Sequence, residues 1–127
     1  MNGLRALLVD DEEEFVSTLV EWLDYRGVTA GYAIDGEKAL EMLQKASYDV
    51  VVVDLKLPGM SGVELVHIVR KAYPKLPIIM ITGRGSGRDQ EYEKPEGVYD
   101  FLPKPIDISE LVTKMKEAIE ANEHRQP

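Results

Sequence analysis

The chain alternates short blocks that are apolar at nearly every position with longer blocks in which apolar residues recur every three or four positions. Val50–Val53 is the clearest short block. Four consecutive β-branched residues suit a strand buried on both faces, the habit of a parallel sheet covered by helices. Leu4–Val9, Val28–Ile34, Pro77–Ile81 and Tyr99–Leu102 read as four further strands. Between them the spacing turns helical. One stripe comprises Phe15, Leu19, Trp22 and Leu23, widened by Val16 and Val20; a second comprises Ala39, Leu40, Leu43 and Ala46. A third comprises Leu65, Val66, Val69 and Ala72, and a last one Ile108, Leu111, Val112, Met115 and Ile119.

The breaks agree with that division. Gly27 stops the first helix and Asp35-Gly36 opens the second. Ser61, with Glu64 three residues on, reads as an N-cap, as does Asp107 with Glu110. Tyr73-Pro74 ends the third helix, because the residue before proline avoids helical angles. Strand and helix alternate five times. This predicts one α/β domain over residues 1–127, with flexible ends at 1–3 and 122–127 and a parallel sheet joined by right-handed crossovers. One stretch breaks the pattern. Arg88–Gly97, where a fourth helix is expected, offers only Tyr92 as an apolar anchor and contains Pro95, so a short, displaced or mobile segment is predicted.

Composition narrows the function classes. A chain of 127 residues, 44% hydrophobic and 30% charged, can bury one sizeable core. The net charge of −8 argues against a nucleic-acid binder, which needs a basic face. The absence of cysteine excludes disulfide and thiol chemistry. No apolar run is long enough to span a bilayer and the amino terminus carries no signal-peptide pattern, so a cytoplasmic protein is expected.

Polar groups stand at every predicted strand end but the second: Asp10 and Asp11, Asp54, Thr82 and Lys104. Open α/β sheets place ligands at the carboxyl ends of their strands. Each residue has an ordinary reading. The acidic pair suits a helix start, Asp54 a loop start, Thr82 a strand, and Lys104 a solvated loop. Together they point elsewhere. Three converging carboxylates repel unless a cation shares the site, and a hard divalent ion such as Mg²⁺ suits oxygen ligands beside phosphate. Acid, metal, hydroxyl and amine make a phosphoryl site with Asp54 as candidate nucleophile. His67 and His124 lack visible partners and do not read as metal ligands.

The stretches Val9–Glu12, Val53–Gly62, Ile81–Gly83 and Asp100–Pro105 resemble the motifs of response-regulator receiver domains across nearly the whole chain. The resemblance implies the flavodoxin-like, CheY-like (βα)5 fold with strand order 2-1-3-4-5. It implies that Asp54 accepts phosphate from a sensor histidine kinase or a histidine phosphotransfer protein. Mg²⁺ would be held by Asp11, Asp54 and the Lys56 carbonyl, with Asp10 acting largely through water. Lys104 would pair with phosphoryl oxygens, Thr82 would move to bond them, and Phe101 would hold the aromatic switch position. The Lys104-Pro105 bond is usually cis in the family. The readout would be the face of the fourth helix, fifth strand and fifth helix, serving an effector domain or a homodimer.

The chain departs from the family pattern in the segment around Pro95, which puts a partner surface there in question, and in Phe101, which lacks a switch hydroxyl. Two other readings compete. A pseudo-receiver would bind a partner without phosphorylation, but the acidic pair, Asp54, Thr82 and Lys104 are all intact. An aspartyl-phosphate hydrolase of the haloacid dehalogenase kind normally has an acid two residues after its nucleophile. Lys56 stands there instead.

Overall fold

The computed structural model describes residues 3–83 and 97–124. Strands β1 (Leu4–Val9), β2 (Val28–Ala33), β3 (Val50–Asp54), β4 (Ile78–Thr82) and β5 (Val98–Pro103) form one parallel sheet in the order β2-β1-β3-β4-β5. Helices α1 (Glu13–Tyr25), α2 (Gly36–Lys45), α3 (Gly62–Ala72) and α4 (Ile108–His124) are those among the described residues. The alternation and the strand order match the sequence expectation. The expectations for the segment around Tyr92 and Pro95, for the tail beyond His124 and for the His124 side chain lie outside the described residues.

Strand alternation divides the apolar residues between two cores. Ala6, Leu8, Val50, Val52, Ile79, Ile81 and Leu102 meet Val16, Leu19 and Leu23 of α1 and Leu111 and Met115 of α4. Leu7, Val9, Val51, Val53, Ile78 and Met80 face Ala39 and Leu43 of α2 and Leu65, Val66 and Val69 of α3. All five residues of β3 are buried, as the valine run predicts. Each buried valine there contributes roughly 1.5–3 kcal/mol relative to exposure. β3 is therefore a stiff mount for Asp54 at its end.

Local chemistry sets the element ends. The Ser61 hydroxyl accepts from the Glu64 N–H at 3.1 Å, and the Asp107 carboxylate from the Glu110 N–H at 3.0 Å, as expected. Asp35 does the same for α2, accepting from the Lys38 N–H at 2.8 Å. Gly27, at φ +85°, ends α1 in a conformation that a side chain would strain.

Two packing expectations fail. Trp22 is 51% exposed. Val16, Leu19 and Leu23 define the buried stripe of α1, and Trp22 lies about 100° round the helix from Leu23. Ala72 is also exposed, because α3 ends there and Tyr73 takes the next packing position against the core.

Pairing between β4 and β5 slips once, between Ile78 and Ile79, where Tyr99 is the extra residue on β5. That irregularity brings Phe101 opposite Met80 and Leu102 opposite Ile81. It thereby fixes the side of the sheet to which Lys104 projects.

Candidate functional site

Extending the alternation two residues beyond Leu8, Val52 and Leu102 reaches Asp10, Asp54 and Lys104 on the α1–α4 side of the sheet. Asp10 is fully buried and Asp54 is 5% exposed. The Lys104 Nζ lies 2.7 Å from Glu12 Oε1, 2.9 Å from Asp10 Oδ2 and 3.4 Å from Asp54 Oδ2. Carboxylate oxygens of Asp10, Asp11 and Asp54 all lie within 4.8 Å of one another. Residues separated by most of the chain thus converge at the carboxyl edge of the sheet. They border a cavity of about 620 Å³ whose walls include Asp11, Asp54, Lys56, Gly83 and Lys104. A larger groove, about 800 Å³, lies elsewhere among Leu43, Tyr48, Tyr73 and Leu76 and contains no such convergence.

The helix-capping reading of the acidic pair does not account for this arrangement. Glu12 is the N-cap of α1, and no side chain caps it. The Asp10 Oδ1 instead accepts from the Glu12 N–H at 2.8 Å, tightening the loop. Asp54 Oδ1 accepts from the Lys56 N–H at 3.2 Å. The exposed Lys56 side chain reaches the cavity rim, so both its backbone and its charge belong to the site.

Burial raises the pKa of Asp10 above the ordinary aspartate range. Burial also raises that of Asp54, helped by the nearby charge of Asp10. Lys104 behaves differently. Burial alone would lower it, yet the close approach of the Glu12 and Asp10 carboxylates and the charge of Asp54 override that and hold the ammonium well above the ordinary lysine range. The two trends are compatible: one ammonium serves three carboxylates, so the cation is over-compensated and each acid under-compensated. Asp10 Oδ2 shows the deficit. It is buried with the ammonium as an ion-pair partner at 2.9 Å but with no hydrogen bond among the described residues. A buried acceptor of this kind beside two more carboxylates fits a hard divalent cation with oxygen ligands.

Thr82 and Phe101 occupy a different place. Paired residues on parallel strands share a face, and Thr82 and Met80 alternate together with Phe101. Phe101 packs against the α2–α3 core, on the side of the sheet opposite Asp54. The Thr82 hydroxyl makes no hydrogen bond among the described residues, while its carbonyl accepts from the Lys104 N–H at 2.8 Å. The backbone therefore ties Thr82 directly to Lys104. The Lys104-Pro105 peptide is cis, as the resemblance implies. His67 is exposed and stands apart from the cluster.

Sequence reasoning gave no role at the site to Glu12 or Phe15. The Phe15 ring lies beneath the Lys104 ammonium, 4.8 Å from its centroid. Both were absorbed into other patterns, Glu12 into an acidic helix start and Phe15 into an apolar stripe. Only the contact with Lys104, far away in the chain, separates them from those patterns.

Gly62 fixes the loop that follows Asp54. A Cβ there would lie 2.2 Å from the Asp54 carbonyl oxygen and 2.8 Å from that of Leu55, both backbone atoms. Gly62→Ala should therefore push α3 away from the end of β3 and cost about 2 kcal/mol. The urea-unfolding midpoint measures this, and an unchanged midpoint would contradict the tight fit.

No helix among the described residues is long and apolar enough to cross a membrane. The family model for the response regulator receiver domain matches residues 6–116. The transcriptional regulatory protein CpxR of Escherichia coli K12 is 37% identical over 112 residues, covering 88% of this chain and 47% of that protein. The chain spans about half the length of the curated relatives it matches. A response regulator receiver domain protein from Clostridium thermocellum superposes with TM-score 0.86 at 25% identity, covering 97% of this chain and 99% of the other. A CheY-like receiver domain protein from Methanospirillum hungatei JF-1 gives TM-score 0.86 at 26% identity, covering 98% and 100%. With a matched family model over most of its length and the same sheet order beneath an acidic cluster, this chain belongs to the response regulator receiver domain family.

Proposed function

We propose that Asp54 is the phosphoryl acceptor of this receiver domain and that Mg²⁺ is its cofactor. The observation that carries the reading is the Lys104 ammonium lodged between Asp10, Glu12 and Asp54, with the Asp10, Asp11 and Asp54 oxygens gathered close by. Asp11, Asp54 and the Lys56 carbonyl would hold the ion directly, and Asp10 largely through water. When bound, the ion supplies positive charge to oxygens that gain negative charge during transfer. The donor is the phosphohistidine of a sensor histidine kinase or a histidine phosphotransfer protein. A carboxylate oxygen of Asp54 attacks phosphorus, the P–N bond breaks, and the imidazole leaves with the bonding pair. The buried strand β3 holds the nucleophile in line, while the N–H donors of Lys104 meet the phosphoryl oxygens.

The acquired group brings roughly −1.5 to −2 of charge and three strong acceptors. The hydroxyl of Thr82 donates to one of these, and the space it vacates lets Phe101, on the same side of the sheet, turn inward. The face of β5 and α4 then changes and serves an effector domain or a second copy. A coupling of about 1–3 kcal/mol suffices for such a switch.

Incubation with Mg²⁺ and phosphoramidate tests the acceptor assignment. Intact-mass spectrometry is expected to show the gain of one phosphoryl group, located on the peptide that contains Asp54. Omitting Mg²⁺ or introducing Asp54→Asn should abolish the gain. A modified residue other than Asp54 would refute the assignment, and no adduct on the wild-type chain would leave a partner-binding module without phosphorylation.

A further inference from the structure

We propose that Glu12 is a positioning residue for phosphoryl acceptance: it holds Lys104 in a resting site, from which the ammonium must be released to reach a phosphoryl group on Asp54. The inference rests on the reading of Asp54 as acceptor. Of the three carboxylates around Nζ, Glu12 is the closest at 2.7 Å and Asp54 the farthest at 3.4 Å. The Phe15 ring completes the resting site from below, 4.8 Å away. The ammonium is therefore drawn toward the start of α1.

The usual explanation for an acid at this position is helix capping. Glu12 is indeed the N-cap, but its side chain makes no cap hydrogen bond. Its carboxylate turns instead to a lysine 92 residues further along the chain. The Glu12 backbone is fixed, since its N–H donates to Asp10 Oδ1. The Glu12 side chain is 62% exposed, whereas those of Asp10 and Asp54 are 1% and 7% exposed. The two buried acids cannot move aside, but Glu12 can swing into water. It is thus a releasable anchor on the solvent side of Lys104.

An ammonium has three N–H donors and no acceptor, so Glu12 and incoming phosphoryl oxygens compete for the same groups. When phosphoramidate reacts, its P–N bond breaks, ammonia leaves with the bonding pair, and a P–O bond forms to Asp54. Lys104 must loosen from Glu12 to meet the transferred group during that step. Removing the competitor should speed acceptance about threefold, the scale of a single exposed ion pair.

Two variants separate holding from simple charge repulsion. Glu12→Gln removes the charge, while Glu12→Asp keeps it on a side chain one methylene too short to reach Nζ. The Mg²⁺-dependent phosphoramidate reaction of the full chain is followed by intact mass. A second readout is hydrogen exchange of the Lys104 Nζ protons, observed by NMR in the metal-free protein. Both variants are expected to react about threefold faster than wild type, with faster exchange at Lys104. Unchanged rates in both, a fast Gln variant beside an Asp variant that behaves as wild type, or unaltered exchange would each overturn the role. An adduct on the wild type with unchanged variants defeats this inference alone, whereas no adduct on the wild type defeats the acceptor reading and this inference with it.

Discussion

Lys104→Met should lower the metal-free stability by about 3 kcal/mol at neutral pH, the low end for breaking a buried ion pair. The Lys104 side chain is only 14% exposed, and its loss leaves Asp10 and Asp54 buried without a counter-ion. Its bond to the exposed Glu12 carboxylate adds little to that figure, because water screens it. Methionine keeps an apolar stem over the Phe15 ring, so the loss reports charge rather than packing. The pH dependence follows from the raised pKa of Lys104. A raised lysine stabilises the fold throughout the range below its ordinary value of 10.5, and the contribution fades only as pH climbs through the higher folded value. The deficit of the variant should therefore be full at pH 7. It should shrink toward acid pH, where Asp10 and Asp54 take up protons and no longer need the cation. Saturating Mg²⁺ should recover part of the stability but little of the phosphoryl acceptance, since loss of a charged donor at the reacting group costs roughly a hundredfold in rate. Urea midpoints across pH, with and without Mg²⁺, measure the first effect, and intact mass measures the second. Equal midpoints for variant and wild type in metal-free buffer would show that the ammonium does not hold the acidic cluster together.

The sequence announces most of this site because the site is built from strand ends. The valine run of β3 and the apolar run of β4 read as buried parallel strands once the helical stripes around them are recognised, so Asp54 and Thr82 fall on the carboxyl edge of the sheet. Lys104 is legible through Leu102 before it and Pro105 after it. The side of the sheet each residue faces is harder to read. It depends on the slip at Tyr99, an irregularity that a short strand of mixed residues does not declare. Glu12 was hidden for another reason. Its role comes from a single contact across most of the chain, and an acid at a helix start already has a sufficient local explanation. Trp22 shows the reverse error. Apolar spacing placed it in the core, but a helix against a sheet buries a narrower stripe than its apolar residues define.

Asp54→Asn should remove phosphoryl acceptance completely and, in metal-free buffer at pH 7, stabilise the fold, because it takes one charge out of a crowded group of buried carboxylates. The two effects have one origin. Burial and the neighbouring Asp10 charge make the ionised carboxylate of Asp54 unfavourable where it sits, which is why its pKa is raised. Asparagine keeps the oxygen that accepts the Lys56 N–H and removes the charge. The sign with pH follows from the raised value. The folded chain binds the proton more tightly than the unfolded chain, so wild-type stability declines as pH rises from the ordinary 3.8 through the folded pKa, then levels off. The advantage of the variant should be largest on that upper plateau and vanish as pH falls back toward 3.8. Mg²⁺ acts unequally on the two proteins. At a concentration one hundred times its dissociation constant it should stabilise the wild type by about 2.7 kcal/mol. It should stabilise the variant far less, because one of the three converging carboxylates is gone. The order of stabilities should therefore invert between metal-free and metal-loaded buffer, a crossing that thermal melts of the two proteins detect directly. If Asp54→Asn were the less stable protein without metal, or if Mg²⁺ raised both melting temperatures equally, the strained acidic cluster would not be the cation site.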